Sequence, residues 1–335
     1  MTRFEDLFGA IEADSGFDSL LARFRAAEVC TCVLEGLTDG LKAPVLAAMA
    51  ARLKRPIVIV SAQEKALEDF AASIDFYFRQ RTERKATHAV ALPAYDCGPY
   101  DHLSPHSEIA EQRALALAKI QTGTAHFTVT SPAVLLSRWP TPDFFSGLSR
   151  NLYKDQALEI EELRTWLVSS GYYAVEPVSG VGEFSIRGGI LDVFSPSEPQ
   201  PLRLEFCGDN IESIRQFSVE TQRSLRTLDS LNLMAVRDVP VTSDLLKRWA
   251  DAAEERISPE GRGIWEDKIQ AAQLGEPFAG IEFQLPILLP YQHTLLSYFQ
   301  NPILVLDEPG EIEDQWNALW RKTERASARR GVDAQ

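Results

Sequence analysis

Gly36-Leu37-Thr38-Asp39-Gly40-Leu41-Lys42-Ala43 lies between an apolar run and an apparent helix, where a phosphate-binding loop would sit. The working pattern for such a loop is G-x-x-x-x-G-K-[ST], which cradles phosphates on backbone N–H groups and holds Mg²⁺ through the final hydroxyl. Gly36 and Lys42 match it; Leu41 replaces the second Gly and Ala43 the Ser/Thr. A Cβ at position 41 opposes the close approach of backbone to phosphate. Ala43 has no oxygen to offer a metal. The segment reads as a nucleotide loop without its chemistry, and ATP hydrolysis is not expected. Ile303-Leu304-Val305-Leu306-Asp307-Glu308 resembles the apolar strand ending in acids that holds Mg²⁺ in such sites. Without a competent loop, Asp307 and Glu308 read as the end of a strand and the start of a turn before Pro309.

A second group is Arg187, Arg203 and Glu205. Phe184 and Ile186 alternate with Ser185 and Arg187, and Leu202, Leu204 and Phe206 with Arg203, Glu205 and Cys207. Side chains two apart on a strand share a face. The three charged residues therefore belong on the polar side of a small sheet, as a solvated ion-pair cluster or as a recognition face on which Arg supplies directional donors. Phe184 and Phe206 fall on the core side. The segment 92–106 carries Asp96, Asp101, His102 and His106 among Pro93, Pro99 and Pro105, which reads as a rigid loop with local turn bonds. Cys30, Cys32, Cys97 and Cys207 are scattered; only Cys30 and Cys32 are close, and C-x-C alone supplies half a metal site at most, so no metal site is expected. No G-x-S-x-G, H-E-x-x-H or paired C-x-x-C occurs.

The elements that must position these residues follow from periodicity. Residues 1–28 read as helical, Val29–Leu34 as a short strand, and Pro44–Leu53 as a helix with Pro in its first turn. Ile57-Val58-Ile59-Val60 is an unbroken apolar run, the mark of a strand buried on both faces. A helix over 62–77, a strand at 88–92, a helix over 109–121 and a strand at 127–130 complete a parallel α/β pattern. After Asn151 the texture changes. A helix near 160–170 ends at Gly171, and short alternating strands follow to Val219, with a hairpin signal at Gly208-Asp209-Asn210. Ile211, Ile214 and Phe217 extend the apolar pattern with a break in register. A helix runs from Ser243 towards Glu255. Near the end, Trp316, Leu319 and Trp320 share a helical face, packed either back on the first domain or on something beyond the chain. The expected domains are 1–150, 151–230, 231–310 and a terminal helix over 311–335.

The 335 residues are too many for one ordinary core. The formal net charge of −14 repels phosphate backbones at long range and disfavours a general nucleic-acid binder. Glu5 and Asp6 stand where a signal peptide would be basic, and no apolar run is long enough for a membrane span, so a cytoplasmic protein is expected.

Gly182-Glu183-Phe184-Ser185-Ile186-Arg187-Gly188-Gly189-Ile190-Leu191-Asp192-Val193-Phe194, with Pro201 to Phe206 and Gly208-Asp209, resembles the UvrB interaction domain of transcription-repair coupling factors. Leu92-Pro93 through Tyr100-Asp101, Ser104-Pro105 and Arg113 resemble the first domain of the same family. The resemblance runs in order from about residue 30 to about 310. It implies a degenerate P-loop NTPase-like, UvrB-like α/β domain with an inserted small antiparallel α+β domain. It implies no cofactor and no catalysis in this part of the family, and a docking role that recruits UvrA through Arg187, Arg203 and Glu205. RNA polymerase and DNA would be met by the family's later domains, which are also thought to mask the UvrA surface. One departure is visible: the family usually has Arg after the Gly-Tyr pair, and here Tyr173 follows Gly171-Tyr172. The 93–105 loop leaves little room for the DNA-clamping hairpin of UvrB itself, so weak or no DNA binding is expected. The alternatives are an ATP-dependent DNA enzyme with an unusual phosphate loop, and a structural or autoinhibitory cap of a longer motor.

Overall fold

The computed structural model describes residues 3–26, 30–82, 88–257 and 262–329. In chain order the elements begin with α1 (Arg3–Glu12), α2 (Ser15–Ala26), α3 (Asp39–Leu53), β1 (Ile57–Ser61), α4 (Leu67–Thr82) and β2 (Ala89–Leu92). They continue with α5 (Ser107–Gln121), β3 (Phe127–Thr130), α6 (Pro132–Leu136), β4 (Ser149–Tyr153), α7 (Ile160–Ser169) and β5 (Tyr173–Ala174). Then come β6 (Glu183–Arg187), β7 (Ile190–Val193), β8 (Leu202–Cys207), β9 (Asn210–Phe217), β10 (Ser224–Leu228) and β11 (Ser230–Met234). The last are α8 (Ser243–Arg256), α9 (Arg262–Gln273), β12 (Ile303–Asp307) and α10 (Pro309–Arg329). They form two compact units, one of residues 1–94, 119–138 and 294–335 and the other of 95–118 and 139–293.

The first unit is built on a parallel sheet of order β12-β1-β3-β2. All five residues of β1 are buried, as an unbroken Val/Ile run requires when both faces of a strand are covered. Its core joins Leu46 and Met49 of α3, Ile74 and Phe78 of α4, and Ile57, Ile59 and Phe127 of the sheet. At the other end of the chain, α10 packs on α6 and β12 of the same unit. Trp316 and Trp320 lie 5.8 Å apart, yet Trp320 stays 55% exposed.

Two expectations fail here. Cys30–Leu34 is irregular rather than a strand, and Val29 lies outside the described residues. Val33 is 78% exposed, so this segment buries too little to be held in a sheet. The following helix starts at Asp39, five residues before Pro44. Pro44 therefore stands inside the helix and leaves the Gly40 carbonyl without its i+4 donor. Only Gly36–Thr38 remains as loop, with Gly36 at φ 77°.

The second unit holds a six-stranded sheet of order β10-β9-β8-β7-β6-β5, together with a two-stranded antiparallel sheet of β4 and β11. From β6 to β10 every pairing is antiparallel; β5 adds a parallel edge because the chain returns through residues 175–182 instead of a tight turn. A bulge between β8 and β9 explains the break in register. Glu205 faces Ser213 but Phe206 faces Ile211, so Ile211 and Ile214, three apart, both reach the core. Phe217 falls instead on the side of Arg203 and is buried there, with the Arg203 guanidinium 4.6 Å from its ring. α7 closes the core with Leu163 and Leu167.

A buried ion pair anchors the 95–113 stretch in this unit. Arg113 Nε donates to Asp238 Oδ2 at 2.7 Å, and the Tyr95 hydroxyl donates to the same oxygen at 2.8 Å. The guanidinium lies over the Tyr95 ring at 4.0 Å. Arg113 is 6% exposed and Asp238 2%. Removing one member of such a pair strands the other charge away from water. Arg113→Met is expected to cost about 3–5 kcal/mol of unfolding free energy, read from urea denaturation.

Candidate functional site

The charged face of the six-stranded sheet is set by two hairpins. The Gly188-Gly189 turn joins β6 to β7 and places Arg187 opposite Ile190 and Ser185 opposite Asp192. β7 then sets Asp192 opposite Arg203 and Ile190 opposite Glu205. β9 adds Arg215 beside Arg203 and Ser213 beside Glu205. Directly paired residues share a face, so Arg187, Asp192, Arg203, Glu205, Ser213 and Arg215 stand together on one side. The other side presents Phe184, Leu191, Val193, Leu202, Leu204 and Ile214 to the core.

The three sequence-predicted residues thus fall on one face, and Asp192 joins them at its centre. Arg203 grips Asp192 with two bonds, Nε to Oδ1 at 2.6 Å and Nη2 to Oδ2 at 2.8 Å. Arg187 Nη2 reaches Oδ2 at 2.8 Å, and its Nη1 lies 3.4 Å from Glu176. Asp192 is only 2% exposed. The two arginine side chains are 46% and 18% exposed for Arg187 and Arg203, so the carboxylate lies beneath the guanidinium groups. The Asp192 hydrogen bonds hold the Arg203 pKa above its ordinary value, against the opposing effect of burial. Glu205 accepts from Ser213 Oγ at 2.6 Å and from Arg215 Nη2 at 2.9 Å. The face is therefore a lattice of fixed guanidinium and carboxylate groups.

Sequence reasoning missed Asp192 and Arg215, although both were within reach. Asp192 sits between Leu191 and Val193, and a two-residue turn after Arg187 fixes its register. Arg215 required the bulge to be placed first.

At one end of the sheet is Tyr173, 57% exposed. Its hydroxyl donates to Glu183 Oε1 at 3.2 Å. Glu183 Oε2 accepts from Ser179 N at 2.6 Å, Gly180 N at 2.8 Å and Ser179 Oγ at 3.1 Å. Desolvation pushes this carboxyl up, but the bonds from Ser179, Gly180 and Tyr173 outweigh it and the pKa is lowered.

In the first unit, the residues of the expected phosphate loop do something else. Lys42 Nζ is 2.8 Å from Asp307, 3.0 Å from Glu308 and 3.0 Å from Asp39. Desolvation would lower the amine pKa, yet these carboxylates hold it raised. Asp307 and Glu308 thus act as partners of Lys42 as well as ending β12; Glu308 turns the chain at φ 54°. Leu41 and Ala43 lie in the first turns of α3, with Ala43 buried in the core. A cleft of about 870 Å³ lies beside them, lined by Cys30–Leu37, Lys42, Met49 and Leu304–Glu308. In the 92–106 segment, Asp101 accepts from Gly98 N at 2.8 Å, a local turn bond, while Asp96 accepts from His106 N at 3.1 Å across ten residues and ties the two ends of the loop. Among the described residues no group of three or more His, Cys, Asp or Glu is placed to hold a metal, and no helix is long and apolar enough to cross a membrane.

The sheet, with one face closing a core and the other carrying paired guanidinium and carboxylate groups, lies within a region that matches a known family. Residues 151–238 match the family described as the UvrB interaction domain. The transcription-repair-coupling factor of Myxococcus xanthus is 31% identical over 304 residues, 87% of this chain and 25% of that protein. That of Rickettsia prowazekii is 27% identical, covering 91% of this chain and 26% of the relative, and that of Escherichia coli 28%, covering 90% and 25%. The chain belongs to the transcription-repair coupling factor family, as its N-terminal UvrB-like module. It spans about a quarter of the length of the curated relatives it matches.

The Glu183 bonds generate a pH test. A carboxyl whose folded pKa is depressed contributes stability above its unfolded value, and that stability is lost as pH falls through the folded value. Glu183→Gln is expected to be less stable than the parent at pH 7, with the gap closing below about pH 4.3, the ordinary Glu value. Urea midpoints of the two proteins across pH 3–7 check this.

Proposed function

We propose that this chain is a non-catalytic docking module that recruits UvrA for nucleotide excision repair through the charged face of its six-stranded sheet. Arg187, Arg203 and Glu205 are the contacting residues in this reading. The observation that carries it is the pair of guanidinium groups fixed over Asp192 inside the matched UvrB interaction domain. Fixed donors bind a partner without the entropy loss of ordering two long side chains. The reading treats Gly36, Leu41, Lys42 and Ala43 as a degenerate nucleotide loop, in which Lys42 is already bound to carboxylates and no hydroxyl is available for Mg²⁺. No cofactor is assigned. Contact with RNA polymerase and translocation on DNA belong, in this reading, to parts of the family outside these 335 residues.

Titration calorimetry with purified UvrA tests the proposal. The parent chain is expected to bind, and Arg203→Glu to weaken binding at least about thirtyfold, the effect of removing a central charged contact worth about 2 kcal/mol or more. Tyr173→Arg, which restores the usual family residue, is expected to tighten binding by about threefold to tenfold, the range of an added rim-to-core charge contact. An Arg203→Glu chain that binds like the parent would remove the sheet face from the site.

A further inference from the structure

We propose that Asp192 is a positioning residue for the docking face: it never meets the partner but fixes Arg203 and Arg187 in the geometry the partner reads. The proposal rests on the docking reading given above and adds to it a residue that acts through others. At 2% exposure the carboxylate lies too deep for a partner to reach. Both of its oxygens are used, Oδ1 by Arg203 Nε and Oδ2 by the Nη2 atoms of Arg203 and Arg187. Two parallel bonds to one carboxylate fix both the position and the plane of the Arg203 guanidinium. The face of that guanidinium rests 4.6 Å from the Phe217 ring, so it is supported from a second direction. Among the described residues, Arg203 Nη1 has no protein acceptor, and it is the edge of the fork left for a partner carboxylate.

Asp192 also sets the charge of the face. Arg187 and Arg203 converge on one point, and without an anion between them they would repel each other and splay. Removing the carboxylate would therefore release both arginines together. A partner bearing acidic groups would then have to reorder both side chains on binding, which weakens the complex even though no contact residue has changed.

The test is UvrA binding by calorimetry for the parent chain, Asp192→Asn, Arg203→Ala, Arg203→Lys and the Asp192→Asn/Arg203→Ala double variant, each checked by circular dichroism. Asp192→Asn keeps the side-chain shape and removes the charge. The expected result is a loss of affinity of about tenfold or more, comparable to Arg203→Ala. In the Arg203→Ala background the same change should add clearly less than it costs alone, because only its action through Arg187 remains. A merely structural role would instead add its full loss in both backgrounds. Arg203→Lys keeps the charge but cannot make the two-pronged bond, and it should bind about as poorly as Arg203→Ala. Should Asp192→Asn not fold, the lysine variant carries the test alone. Asp192→Asn binding within about twofold of the parent, or Arg203→Lys binding like the parent, would overturn the proposal. Failure of the parent chain to bind UvrA would instead bring down the docking reading, and this inference with it.

Discussion

A carboxylate removed from water is tolerable only when cations or donors meet it, and the polar face of the six-stranded sheet is organised around that constraint. Asp192 is buried because β7 is an interior strand, flanked by β6 and β8. The register of both neighbours decides what can reach it. A slip of one residue in either hairpin would carry Arg187 or Arg203 to the apolar side and leave the carboxylate alone. Burial of Phe184, Leu191 and Leu204 on the opposite face and ion pairing on this one therefore select the same register. The apolar face and the ion-pair cluster are two consequences of one strand alignment.

The same physics recurs elsewhere with different outcomes. Arg113 and Asp238 are both shut away from solvent, and Tyr95 adds a hydroxyl and a ring, so this cluster fixes backbone and displays nothing. Lys42 is more open, and its partners Asp39 and Glu308 are largely solvated. The pairs with Asp39 and Glu308, whose carboxylates are open to solvent, contribute little stability. Their effect at Lys42 is chemical: an amine that already faces carboxylates makes a poor seat for a phosphate. The 36–43 segment thus has neither a second Gly at position 41 nor a hydroxyl at position 43, and its Lys42 is occupied by carboxylates.

Much of this was legible in the sequence because it depends on local pattern. The Ile57–Val60 run, the alternation in 184–187 and 202–207, and the Gly208-Asp209 turn each specify their strands without reference to the rest of the chain. That Arg187, Arg203 and Glu205 share a face followed from alternation, whereas their role as a contact site was implied only by the family resemblance. What was not legible depended on distant partners. The Val29–Leu34 segment has strand-like residues, but a strand exists only where a neighbour accepts its hydrogen bonds. The start of α3 was misplaced because Pro44 usually marks a first turn, whereas here the helix accepts it further in. Asp307 and Glu308 read as a strand end because Lys42, their partner, lies more than 260 residues earlier in the chain. Asp192 was hidden for a different reason: a lone acid in an apolar strand looks like a solvated side chain until the strands on both sides are known.

The charge of the sheet's polar face bears on the docking proposal. Arg187, Arg203 and Arg215 are opposed at short range by Asp192, Glu205 and Glu176, so the face is a pattern of fixed dipoles more than a cationic patch. Nucleic acids are drawn to proteins largely by uncompensated positive charge and counterion release. A face whose guanidinium groups are already paired, on a chain of net charge −14, offers little of either. A protein partner is read differently, by the match of individual donors and acceptors at close range, where compensated charges still give direction. Pairing the arginines internally therefore weakens the least selective part of their attraction and keeps the part that depends on geometry.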